Sequence, residues 1–320
     1  MTAFSSASVE PTAQFSGASV EPTARVLYIA GWGRSGSTIL DNVLGQVDGF
    51  FSAGELMFLW KRGLIEGRLC GCGTPVRDCD VWSRVLDRAF PGGVDAHELL
   101  RLEGRGARTR HLPLHLAHLE PGTAEYRRSL GSLYRAIQAE TGCRVIVDSS
   151  KSPSYGRVLA GVDGLDVRVV HLVRDPRAVA YSWVRKKMQR DDPRRVRSMH
   201  SHGPAMSSFY WNLLNESTRA LWKSDGGRHL LVRYEDFVAR PQETIDEIVR
   251  FADEIPSRLP WTAEGELALE HTHTVSGNPS RFDHGTVALR ADVEWQRSMR
   301  PRDRRVVDVI TRPFRGRYGY

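Results

Sequence analysis

The sequence predicts an α/β fold with a central, mostly parallel sheet flanked by helices, and three observations predict it. Short, largely apolar runs rich in β-formers recur at residues 26–30, 144–147, 167–172 and 229–232, as expected of buried parallel strands. Helical periodicity lies between them, at 126–140, 176–190 and 206–223. The first run also passes through a glycine-rich turn straight into Ile39, Leu40, Val43, Leu44 and Val47, which recur at helical spacing. Strand, glycine loop and helix in that order open a βαβ unit.

The elements follow in chain order. Residues 4–14 (FSSASVEPTAQ) and 15–25 (FSGASVEPTAR) are a near-exact tandem repeat. Two short copies rich in Ser, Ala, Pro and Thr bury no core, and a solenoid needs at least three larger units. Residues 1–25 are therefore expected to be a disordered tail. A single domain is expected over 26–320. Within it, Phe50-Phe51 is a short apolar run after the first helix, and a helical and loop insertion around 60–140 is expected to cover one edge of a site.

With 320 residues, 41% of them hydrophobic, the chain can bury one large core. A net charge of +7 and a pI near 9.4 favour an anionic ligand. The basic residues are spread along the chain with no polybasic tail, so nucleic acid is not expected as a partner. Only five of the 45 basic residues are lysine, and arginine offers a planar fork suited to phosphate. No apolar run of about eighteen residues occurs and no secretion signal is recognisable, so no membrane partner is expected and the expected compartment is the cytoplasm. Four cysteines in a chain this long make no disulfide framework.

The glycine-rich turn can be set against the nucleotide-binding pattern G-x-x-x-x-G-K-[ST]. Gly31 and Gly36 have its spacing and Thr38 fills its last position, but Ser37 stands where the lysine belongs. That lysine reaches the β- and γ-phosphates of a nucleoside triphosphate. Its absence argues against a small-molecule kinase, which also needs a Mg²⁺ site. The backbone amides of Ser35 to Thr38 at a helix N-terminus still suit an anion, and Arg34 adds positive charge. A non-catalytic nucleotide-binding module is the other alternative.

A second segment sharpens the picture. Arg174-Asp175-Pro176 follows the run 167–172, and Pro176 suits a helix's first turn. Ser182 lies eight residues after Arg174. An arginine at a strand end and a serine two turns into the next helix can grip one phosphate.

At these residues the chain resembles sulfotransferases that use 3′-phosphoadenosine 5′-phosphosulfate (PAPS). Gly33-Arg34-Ser35-Gly36-Ser37-Thr38 resembles their 5′-phosphosulfate loop, with Arg34 where many members carry lysine. Arg174 and Ser182 match their 3′-phosphate pair. Arg233-Tyr234-Glu235-Asp236-Phe237 resembles their Tyr-Glu-Asp strand-end motif, and Ser276-Gly277-Asn278-Pro279-Ser280-Arg281-Phe282 the C-terminal cofactor loop of bacterial members. The resemblance runs from about residue 26 onward and rests on four ordered motifs. It implies a P-loop-like three-layer fold. It also implies transfer of a sulfuryl group, without a metal, from PAPS to a hydroxyl of a small acceptor such as a secondary metabolite, a sugar or a phenol. Gly33 to Thr38, Arg174, Ser182, Tyr234, Ser276, Asn278 and Arg281 are the implied cofactor contacts.

Glu55 occupies a place similar to the base of tyrosylprotein sulfotransferases; the histidine used by cytosolic small-molecule members has no convincing match. Lys151, in Asp148-Ser149-Ser150-Lys151 at the end of the run 144–147, resembles a family lysine that touches the transferring group. Strand ends are where α/β sheets carry active-site groups. With Arg34, these three are the expected catalytic residues. Asp148 is expected either to orient Lys151 or to contact the acceptor.

Weaker signals remain. Cys70, Cys72 and Cys79 have spacing that can bind zinc, with His111, His115 or His118 as a conceivable fourth ligand, but buried reduced cysteines or one disulfide are the stronger expectation. His271 and His273 carry no assignment. The basic run Arg185-Lys186-Lys187 with Arg190, Arg194, Arg195 and Arg197 reads as a solvated face, and Trp60, Trp183 and Trp211 as core.

Overall fold

Five strands form one sheet in which every neighbouring pair is parallel: β1 (Ala24–Gly31), β2 (Phe50–Gly54), β3 (Val145–Lys151), β4 (Leu165–Val173) and β5 (His229–Arg233), in the order β2-β3-β1-β4-β5. The structure is a computed structural model and describes residues 24–320 except 120, 186–187, 193, 195–197, 258 and 263–265. Most of the expected tail, residues 1–23, thus lies outside the described residues. Ala24 and Arg25, placed in the tail by the repeat, belong to β1, where Arg25 donates to Glu254 at 2.9 Å.

Alternation along β1 divides the core in two. Leu27 and Ile29 face the helices α1 (Ser37–Leu44) and, much later, α10 (Pro241–Phe251), packing with Leu40, Val43, Ile245 and Ile248. Val26, Tyr28 and Ala30 face the other way. Their neighbours come from α2 (Asp80–Ala89), α3 (Ala96–Gly106), α5 (Ala124–Thr141) and α6 (Pro153–Leu159), with Trp222 of α8 (Pro204–Trp222). A short α4 (Leu112–Leu116) lies between α3 and α5. Helices on both faces of a parallel sheet make the three-layer α/β fold that the sequence predicts.

Three features depart from the sequence expectation. Phe50-Phe51 begins a real edge strand, β2, whose second half, Ser52-Ala53-Gly54, has no β-former to announce it. Backbone pairing with β3 and a 2.6 Å bond from Ser52 Oγ to the buried Asp41 hold it. The helix expected over 176–190 is α7 (Pro176–Val184) and stops six residues early: Arg185 is extended, and the basic run beyond it offers no apolar face to bury. Leu267–Leu269 (β6) and Gly285–Val287 (β7) pair as a small antiparallel ribbon that is too short to show a period. The remaining α-helices among the described residues are α9 (Tyr234–Ala239), α11 (Trp295–Ser298) and α12 (Pro301–Arg315), the last packed on α8.

Candidate active site

All five strands point their C-terminal ends toward one cavity of about 460 Å³. β1 ends in the glycine loop, β2 in Glu55, β3 in Lys151, β4 just before Arg174 and β5 just before Tyr234, and each of these lines the cavity. β1 lies between β3 and β4, so the loop sits where the strand order changes direction, the usual crevice of an open parallel sheet.

The loop's conformation demands its glycines. A side chain at Gly36 (φ 92°) would run into the ring of Tyr234. Gly36 also precedes α1 without any side-chain cap, which leaves the first-turn amides free of a protein side-chain acceptor. Arg34 has φ 69°, Lys151 φ 70° and Ser276 φ 57°. Three of the five described non-glycine residues in the left-handed region therefore fall at this site, where backbone strain tends to be kept for function.

Glu55 and Lys151 form the most buried pair of opposite charges in the cavity. Lys151 Nζ donates to Glu55 Oε1 at 2.5 Å and to the Ser149 carbonyl at 2.9 Å. Arg62 lies 3.9 Å from Glu55 Oε2 and donates to Ser276 Oγ at 2.7 Å. Burial pushes the Glu55 carboxyl up, but Lys151, Arg62 and Arg281 outweigh it and hold it below the ordinary glutamate value. Glu55 is thus ionised at neutral pH and able to accept a proton once Lys151 is drawn aside. Asp148 does not orient Lys151. It turns into the core, accepting from Tyr134 Oη and Ser150 Oγ at 2.5 Å each, and burial pushes it up to about 6.

Arg174 links two parts of the site. Its guanidinium donates to the Arg34 carbonyl at 3.2 Å, lies 4.4 Å from the Tyr234 ring centre, and pairs with Asp292 at 3.2 Å. Ser182, buried on α7, lines the same cavity. The other conspicuous acid of the Tyr-Glu-Asp motif is a brace: Glu235 accepts from the Asp175 amide at 3.1 Å and from Tyr320 Oη at 2.5 Å.

Of the cofactor contacts that the sequence suggests, Gly33, Arg34, Gly36, Ser37, Thr38, Arg174, Ser182, Tyr234 and Asn278 line the cavity. Ser35, Ser276 and Arg281 do not. Ser35 Oγ is buried with no hydrogen-bond partner. Arg281 is buried beneath the loop, donating to the carbonyls of Thr274 and Leu69 at 2.5 Å each. Asn278 is tied to α1 by its amide, which donates to Thr38 Oγ1 at 3.3 Å.

Sequence reasoning missed Arg62, Trp183 and Asp292 as cavity residues. Trp60 and Trp211 are fully buried, as expected, but Trp183 is only half-buried: its ring stacks on Trp32 at 5.1 Å and carries the Arg34 guanidinium at 4.9 Å. Arg185 and Arg190 of the basic run pair with Glu294 and Asp283 at 2.8 Å each, while Lys186, Lys187, Arg195 and Arg197 lie outside the described residues. The three clustered cysteines meet a histidine, but it is His273 rather than His111, His115 or His118.

Residues 77–256 match the model of the sulfotransferase family. The chain belongs to that family. Among solved structures, this chain is similar to the sulfotransferase domain of the Synechococcus PCC 7002 olefin synthase. That pair is 20% identical over 93% of this chain and 98% of the other, with a TM-score of 0.49. It is also similar to the sulfotransferase domain of the curacin biosynthetic pathway, at 17% identity over 90% and 98% of the two chains and a TM-score of 0.48. A sulfotransferase from Mycobacterium tuberculosis H37Rv is 15% identical over 73% and 68%, with a TM-score of 0.43. Among curated proteins none is similar enough to match. No described helix is long and apolar enough to cross a membrane.

Proposed function

We infer that this sulfotransferase moves a sulfuryl group from PAPS to a hydroxyl of a small acceptor in the cytoplasm. One observation carries the reading: the glycine loop, the Arg174–Ser182 pair and the Glu55–Lys151 pair converge on a single cavity. The residues fit such a donor. Uncapped amides at the start of α1, with Arg34 beside them, suit the 5′ anion. Arg174 and Ser182 suit a second, 3′ anion, with Asp292 as the carboxylate that must give way. The unpartnered Ser35 Oγ is a spare donor under the loop.

PAPS, when bound, supplies an activated sulfuryl group and a phosphate leaving group. In this reading Glu55 accepts the acceptor's hydroxyl proton as the new oxygen–sulfur bond forms. Lys151, released from Glu55, faces the sulfuryl oxygens. Arg34 neutralises charge developing on the leaving phosphate, where preorganised donors are worth most. Phe58, Met57, Met199 and Trp183 line the cavity with apolar surface suited to the body of a small acceptor, a secondary metabolite or phenol in preference to a large polymer.

The test is a mass-spectrometric screen of PAPS consumption against a panel of hydroxylated metabolites, with ATP and Mg²⁺ in a parallel arm. Sulfated product from PAPS alone is expected. Phosphorylated product from ATP would replace this reading with a kinase. Nucleotide binding without product from any acceptor would favour a non-catalytic module.

A further inference from the structure

Outside the cavity, three cysteines and a histidine from distant parts of the chain meet. The sulfurs of Cys70, Cys72 and Cys79 and a ring nitrogen of His273 all lie within 4.8 Å of one another. His273 Nδ1 is 3.2 Å from Cys79 Sγ and 3.9 Å from Cys70 Sγ. All four cysteines of the chain are free thiols, so no disulfide accounts for the gathering. From this geometry we propose that Cys70, Cys72, Cys79 and His273 bind a structural Zn²⁺ ion.

Three thiolates and one imidazole are a complete tetrahedral set for zinc, with no position left for water or substrate. Zinc–sulfur and zinc–nitrogen bonds of about 2.3 and 2.0 Å require donor atoms roughly 3.5–4 Å apart, and only small shifts separate these four from that spacing. Soft thiolates select zinc over Mg²⁺ or Ca²⁺.

The local backbone is built for the arrangement. The turn that carries the first two cysteines is closed by the Gly73 amide donating to the Cys70 carbonyl at 2.9 Å. Gly71, between the two ligands, lies so close to residues 272–274 that a side chain there would sit 2.5 Å from the Thr272 carbonyl. Trp82 Nε1 donates to the His273 carbonyl at 2.6 Å, which fixes the segment from which the imidazole projects. A zinc ion with three thiolates carries a net negative charge. Arg281, buried against the carbonyl of Leu69 next to Cys70, supplies the opposite sign.

The site has a structural consequence. It pins the 70–79 loop to residues 272–275. From that segment Val275 exchanges backbone hydrogen bonds with Ala53 and Glu55, at 2.8 and 2.7 Å, just before the loop of Gly277 and Asn278 reaches the cavity. None of the four ligands lines the cavity. The zinc site therefore stands or falls independently of the proposed donor and acceptor.

The test is metal content and cobalt spectroscopy on the full chain, expressed in zinc-supplemented medium and purified under reducing conditions. About one zinc per chain is expected, and Co²⁺ exchanged into the site is expected to give the intense visible bands of a tetrahedral ion together with sulfur-to-cobalt charge transfer. Cys72→Ser, a near-isosteric change at the one clustered cysteine that is only partly buried, should lose the metal and the charge-transfer band while keeping its far-ultraviolet circular dichroism. Cys143→Ser, at the remaining cysteine, should keep both. His273→Ala should weaken binding and change the cobalt spectrum. A folded, reduced wild-type chain with no zinc and only the weak spectrum of octahedral cobalt would overturn the proposal. So would a Cys72→Ser variant that retains a full equivalent of zinc with an unchanged spectrum.

Discussion

Lys151 Nζ lies 2.5 Å from Glu55 Oε1, so the proposed base and the proposed sulfuryl-contacting cation neutralise one another. Glu55 is buried and Lys151 partly buried, and each is available to substrate only when the other is released. The lysine also keeps the carboxyl ionised, because burial alone would push it up. The acid limb of kcat/KM should therefore lie below the ordinary glutamate range, near 4.3. Lys151→Ala should move that limb to higher pH, since burial then acts with less opposition. Glu55→Gln should lower kcat by roughly a hundredfold to ten-thousandfold across the range. A pH profile of kcat/KM for the three proteins checks this, and an acid limb unmoved in Lys151→Ala would remove Glu55 as the base.

Asp41 gives a prediction about stability. It is buried on α1, accepts from Ser52 Oγ and Ser149 Oγ at 2.6 Å each, and is pushed up to about 7 by burial. The unfolded chain releases this proton near 3.9. Between those values the folded state holds a proton that the unfolded state has lost, so stability falls as pH rises toward about 7. Asp148, pushed up to about 6, acts in the same direction. Glu55 has the opposite sign, but its contribution changes only below the ordinary glutamate range. The buried His171, lowered to about 3, acts in the opposite direction over the same window, so Asp41→Asn should make the change in urea midpoint from pH 5 to pH 8 more positive than in the wild type. An unchanged difference would show that Asp41 does not titrate in that window.

The Arg174–Asp292 pair predicts nucleotide preference. Charge-assisted bonds of about 1.5–3 kcal/mol each imply that a 3′,5′-bisphosphate nucleotide binds at least about tenfold more tightly than its plain 5′-phosphate counterpart. Asp292 competes for the same guanidinium at 3.2 Å. Asp292→Asn should tighten binding of the bisphosphate and leave the plain 5′-phosphate nearly unchanged. Calorimetric titration of both nucleotides checks it; equal affinities in the wild type would sink the assignment of Arg174 to the 3′ group.

The sequence reveals the parts of this molecule whose physical demands are local. Strands buried on both faces need mostly apolar runs, so β1, β3 and β4 were readable; the edge strand β5 was readable from Leu230-Leu231-Val232, although Leu231 is exposed; and the glycine loop was readable because a left-handed turn before a helix needs Gly36. β2 was not, because Ser52, Ala53 and Gly54 become a strand only through pairing with β3. Arg62, Asp292 and His273 were not readable either. Each sits in a stretch without a recognisable period, and only tertiary packing brings it to Glu55, Arg174 or the cysteines. The same packing turns Arg281 inward, which its place in a loop motif does not foretell.

Arg34 yields the prediction closest to the chemistry. It lines the cavity two residues before Gly36, with its guanidinium against the Trp183 ring at 4.9 Å and its carbonyl held by Arg174 at 3.2 Å. Burial pushes the guanidinium down from its ordinary value, against the pull of Glu55, yet arginine stays protonated in proteins. A partly desolvated cation of this kind interacts more strongly as negative charge grows on a leaving phosphate. Only such differential stabilisation raises turnover. Arg34→Ala should therefore lower kcat by about a hundredfold to a thousandfold, and should weaken binding of the bisphosphate nucleotide by much less. Arg34→Lys should recover part of the rate, because a lysine restores the charge but neither the planar contact with Trp183 nor the fork. The comparison needs kcat from steady-state turnover and nucleotide affinity from calorimetry on the same preparations. If Arg34→Ala loses affinity and rate in equal measure, Arg34 binds ground state and transition state alike, and the leaving-group role passes to the loop amides.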